Sequence, residues 1–88
     1  MAKRRKLNKD FEKKIYSSKK NVELVLAKIY DIDDEDIQKE YMSAFNTVVY
    51  LYDELKEDYD QIGFNDNSVE LLTNYKNAFN LFESEFEI

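Results

Sequence analysis

The side chains of this sequence with any capacity for acid–base, metal or group-transfer chemistry are carboxylates, lysines, tyrosines and aliphatic hydroxyls; histidine and cysteine are both absent. Without histidine the chain lacks the commonest general base, the commonest metal ligand and the side chain that titrates near neutrality. Without cysteine it has no thiolate nucleophile, no thiolate metal site and no disulfide. Paired carboxylates can hydrolyse glycosides, but only in a cleft that separates their pKa values, and a small helical bundle has little room for one. The run Asp31-Ile32-Asp33-Asp34-Glu35-Asp36 begins like a calcium loop. It departs from that template at its two most telling positions. Asp36 stands where the sharp turn needs glycine, and Met42 where the bidentate glutamate belongs. The expectation is a protein with no catalytic residue, no metal and no cofactor, which works by binding.

Whatever binds must be presented by helices. The chain has no proline and one glycine, Gly63, so strands and tight hairpins have almost no punctuation to use. Apolar residues at Phe11, Ile15, Val22, Val25, Ile29 and Ile32 follow the alternating spacing of a heptad seam, with Ser18 in the one non-apolar slot. A second seam runs through Ile37, Tyr41, Ala44, Val48, Leu51, Leu55 and Ile62, and a parallel row holds Phe45, Val49, Tyr52 and Tyr59. Two rows on one helix mean neighbours on two sides, as a central helix has. A third segment carries Val69, Leu72, Tyr75, Phe79, Phe82 and Phe86, flanked by Leu71, Ala78 and Leu81.

The spacing predicts helices over about 8–31, 34–62 and 67–86. Asp33 is placed to cap the second, and Gly63 to end it with Phe64 folded back on Tyr59 in a Schellman motif. Asn67 and Glu70 have the spacing of a capping box for the third. Short connections then give an all-α, antiparallel, up-down-up three-helix bundle over residues 8–88. Ser17-Ser18-Lys19-Lys20-Asn21 is the weak stretch, and a break there would turn three helices into four. Residues 1–7 read as a flexible basic arm. Eighty-eight residues make one domain. No apolar run approaches the roughly 18 residues of a membrane span, and no secretory signal is present, so the expected location is the cytoplasm of a bacterial host.

Charge locates the candidate surfaces. Residues 1–20 hold nine Lys and Arg against Asp10 and Glu12, a net of +7, whereas residues 21–88 hold four Lys against seventeen acids, a net of −13. Antiparallel packing gathers Asp31, Asp33, Asp34, Glu35 and Asp36 with Glu83, Glu85 and Glu87 at one pole. Tyr50, Asp53, Glu57 and Asp60 share one face of the second helix. The basic set is Lys3, Arg4, Arg5, Lys6, Lys9, Lys13 and Lys14, with Lys19 and Lys20 beyond. Acids crowded together, some at the unfavourable end of their own helix dipole, are not placed there for stability. A cationic partner accounts for them.

The expected function is therefore a small, acidic, non-catalytic protein-binding module whose partner is a protein with a basic surface. By size and charge it fits an inhibitor of phage or mobile-element type, a nucleic-acid mimic that blocks the basic groove of a nuclease, or an immunity-type protein. The alternatives are a self-associating homo-oligomer, the basic arm of one copy on the acidic pole of another, and nucleic-acid binding through the basic N-terminal helix. No membrane partner is expected.

Overall fold

A computed structural model of the chain describes residues 6–88, so Lys3, Arg4 and Arg5 of the expected arm lie outside the described residues. Three helices form the bundle: α1 over Lys9–Tyr30, α2 over Glu35–Ile62 and α3 over Asp66–Phe86. The connections are four residues (31–34) and three residues (63–65), which fold α2 back along α1 and α3 back along α2. At 1.5 Å per residue α2 is about 42 Å long, and it sets the 53 × 21 × 17 Å shape of the molecule. The radius of gyration, 14.7 Å, exceeds the roughly 12 Å of a compact chain this size, as a rod-like bundle should.

α1 is continuous through Ser17–Asn21, so the four-helix alternative does not form. Ser18 explains why. Its Oγ donates to the Lys14 carbonyl at 2.8 Å, which satisfies the hydroxyl within the helix. Its own carbonyl accepts from the Tyr75 hydroxyl of α3 at 3.2 Å in a buried contact. The small side chain leaves room for that ring, and burial pushes the Tyr75 hydroxyl up to about 12, against the ordinary value of 10.0.

The core row of α2 differs from the expected seam. Its buried residues are Phe45, Val48, Tyr52, Leu55 and Tyr59, a line that bisects the two apolar rows and takes members from both. A helix packed on two sides buries deepest along the line between its neighbours. Consequently Ala44, Ile37 and Ile62 of the expected seam are exposed, as is Leu81 of α3. Phe45 is fully buried, with edge-on rings from Phe82 at 4.8 Å and Phe79 at 6.3 Å.

The caps fall one or two residues from their expected positions. Asp34, not Asp33, caps α2, accepting from the amides of Asp36 and Ile37. The capping box of α3 is Asn65 with Ser68, not Asn67 with Glu70: the Asn65 Oδ1 accepts from the Ser68 amide, and the Ser68 Oγ accepts from the Asn65 amide. Asp58 accepts from Nδ2 of both Asn65 and Asn67 across this turn. Gly63 does end α2, at φ 93 and ψ −163, a backbone region open to glycine alone. Its amide donates to the Tyr59 carbonyl, but no Schellman bond follows, because the Phe64 amide donates to the Lys6 carbonyl at 2.6 Å instead. Phe64 thus packs edge-on against Phe11 at 5.1 Å. At the other end Gln38 Nε2 donates to the Ile29 and Tyr30 carbonyls, capping α1 from α2.

Candidate functional site

Every buried side-chain nitrogen and oxygen among the described residues has a hydrogen-bond partner within the chain. The interior polar groups are therefore structural, and the surface is where chemistry of recognition is available. The Tyr59 hydroxyl illustrates the first kind. It accepts from the Asn8 amide at 3.1 Å and donates to Glu12 at 2.8 Å, tying the start of α1 to the end of α2.

The outward face of α2 is built by the same periodicity that buries the core row. Residues half a turn from Val48, Tyr52 and Leu55 point to solvent, and these include Tyr50, Asp53, Glu54 and Glu57. Tyr50 is 62% exposed. A hydrogen bond to the Glu54 carboxylate, one turn on, and that carboxylate's charge push its hydroxyl above the ordinary value. The expected face omitted Glu54, although its spacing of four from Tyr50 was the available signal. Asp60 sits on the edge of this face and pairs with Lys56 in the groove between α1 and α2. That groove, about 260 Å³, also has Glu12 and Lys19 on its walls. The last turn of α2 holds no base of its own, and its acid, Asp60, pairs with Lys56 from the turn before.

The acidic pole is a step rather than a plane. Tyr41 packs against Phe86 at 5.4 Å and its hydroxyl donates to Glu85 at 2.9 Å, which sets α3's end level with Tyr41. Glu35 and Asp36 lie about 8–9 Å further along α2, past the end of α3. Two of the eight expected carboxylates have structural duties, Asp34 as the α2 cap and Glu85 as the acceptor from Tyr41. Asp31 serves α1 through its backbone, its amide donating to the Ala27 and Lys28 carbonyls. The Glu87 amide closes α3 on the Glu83 carbonyl, with Glu87 in the left-handed region at φ 53. Among the described residues no group of three or more carboxylates is arranged to hold a metal ion.

The basic residues divide. Lys6 does not reach the acids of α2; its carbonyl bonds to Phe64 and its ammonium lies 5.9 Å over the Phe64 ring. Lys20 stands over the exposed Tyr16 ring at 5.0 Å. Lys13 and Lys14 face the furrow between α1 and α3, where Lys76 of α3 meets them. Composition along the chain could not show this junction of residues more than 60 positions apart.

No family model, curated protein or solved structure matches the chain. No helix among the described residues is long and apolar enough to cross a membrane.

Proposed function

We propose that this chain is a non-catalytic protein-binding module whose outward α2 face docks on a basic surface of another macromolecule, as an inhibitor that takes the place of nucleic acid does. The observation that carries the reading is the face itself: a tyrosine 62% exposed among the carboxylates of Asp53, Glu54 and Glu57. Tyrosine offers contact area at low entropic cost, and it is enriched where interfaces concentrate their binding energy. Carboxylates on successive helical turns repeat at about 5.4 Å, the same order as phosphates along a strand. The acidic pole enlarges the same negative surface and steers the approach.

Immobilised protein should capture basic nucleic-acid-binding proteins from a bacterial lysate, and competing duplex DNA should release them. The combined variant Y50A/D53N/E54Q/E57Q should lose that capture while keeping its helical circular dichroism. Capture that DNA leaves untouched, or that the folded variant retains, would remove the α2 face from the account.

A further inference from the structure

The furrow between α1 and α3 is a second surface, of opposite sign. These two helices touch least of the three pairs, and the opening between them is a run of hollows of about 340, 350 and 420 Å³. Lys14 from α1 and Lys76 from α3 stand on its two lips, and both line two of the adjoining hollows. Lys13 joins them. The Asn21 and Asn80 amides lie further along, and the buried bond from the Tyr75 hydroxyl to the Ser18 carbonyl lies beneath. Lys76 is the one base in α3, and it falls on the side facing α1. At the near end Phe64 lines the furrow with Lys6 over its ring. The carboxylates in the furrow are Asp10 in the end hollow and Glu83, which lines the middle hollow with the three lysines and the hollow beyond it, so the lysines exceed the acids by one.

We infer that this furrow binds the sugar–phosphate backbone of a single nucleic-acid strand. The lining supports that occupant over a protein. Protein interfaces are anchored by a buried apolar centre, whereas the middle of the furrow is polar: three ammonium groups, an amide and two hydroxyls, with the single carboxylate of Glu83 beside them. The ammonium, amide and hydroxyl groups are donors that phosphate oxygens accept from, and binding through them releases counterions. The net charge of −6 does not forbid it. In a three-helix bundle the α1–α3 furrow lies diametrically across from the outward face of α2, so most of the 17–21 Å cross-section separates the lysines from Asp53, Glu54 and Glu57. That is about two Debye lengths at physiological ionic strength, so the acidic face is largely screened from a strand in the furrow.

The test is fluorescence anisotropy of a labelled single-stranded oligothymidylate titrated with the full chain across a salt series. Three lysines on a single strand predict a log–log salt slope of about −2, and K14Q/K76Q should bring it toward about −0.7 with roughly tenfold weaker binding at low salt. All of these side chains are exposed, so the variants should keep the fold, which circular dichroism verifies. K39Q removes one lysine from α2, away from the furrow, and should leave the slope unchanged. Absence of binding at low salt overturns the inference. So does binding that K14Q/K76Q leaves intact, which would assign it to residues outside the furrow. A mass that doubles at low salt without oligonucleotide also overturns it, because the furrow would then hold the acidic face of a second copy. K14Q/K76Q changes only α1 and α3 and leaves the α2 face untouched, so the two readings fail separately.

Discussion

Ser18 and Tyr75 show how one residue pair decides the integrity of α1. Heptad logic treats Ser18 as a defect in an apolar seam, and on that logic Leu there should stabilise. The structure gives the opposite sign. The side chain is 5% exposed beneath Tyr75, whose hydroxyl bonds to the Ser18 carbonyl, so Leu overpacks the site. S18L should cost about 1–3 kcal/mol in urea unfolding. Y75F should cost about 1 kcal/mol, the net worth of one hydrogen bond. The Tyr75 hydroxyl ionises near 12 in the folded chain against 10.0 in an unfolded one. A raised value means that the neutral form stabilises the fold. That contribution is complete below pH 10.0 and is lost as the pH rises through about 12. Alkaline unfolding followed by tyrosinate absorbance should show Tyr75 ionising with the loss of helix, and Y75F should flatten that part of the stability profile. Tyr52 moves in the same direction, through burial first and neighbouring acids second.

At the scale of the element, periodicity carries far and stops at the ends. Each of the three helices was legible because its apolar residues repeat at 3 and 4 over five or six turns, a pattern that turns and strands cannot imitate. The burial line of α2 was not. Its two rows, one through Val48 and Leu55 and the other through Phe45 and Tyr52, are both real, but the deepest line depends on where α1 and α3 sit. Caps were ambiguous for a simpler reason. Asp33 and Asp34 are both competent, as are Asn65 and Asn67, and the choice depends on how the chain leaves Tyr30 in the first connection and Gly63 in the second. The assignment is testable by differential cost. N65A should lose about 1 kcal/mol through the lost capping box, and N67A, which gives up one exposed side-chain bond to Asp58, should lose less than half of that. F45A removes the ring at the centre of the α2–α3 aromatic cluster and should cost about 3–5 kcal/mol. Against a total of roughly 4–13 kcal/mol for a chain this size, that is a large share, and the variant's midpoint on a calorimetric scan should fall by far more than that of N65A.

For the whole molecule, the charge asymmetry of the sequence becomes a geometric one. Counting along the chain separates a basic beginning from an acidic remainder. Folding separates them differently, across the short axis of the rod. Lys13 and Lys14 meet Lys76 on the α1–α3 side, and Asp53, Glu54 and Glu57 lie on the opposite side around Tyr50. The acidic pole is stepped by the overhang of α2, and its acids are partly taken up by the cap at Asp34 and the bond at Glu85. The α2 face was legible from its helical spacing, but the meeting of Lys14 with Lys76 and the overhang of α2 were not, because they depend on how each helix is rotated and slid against its neighbours. A surface divided by sign in this way suits a binding protein. The binding face proposed for it is the one on α2. The most direct measurement is calorimetric titration of a captured basic partner with the wild-type chain and with Y50A/E54Q/E57Q, at matched helical content. The account predicts an affinity at least tenfold weaker for the variant, about 1.4 kcal/mol or more, and a wild-type affinity that falls steeply with salt. Equal affinities for the two proteins would contradict it.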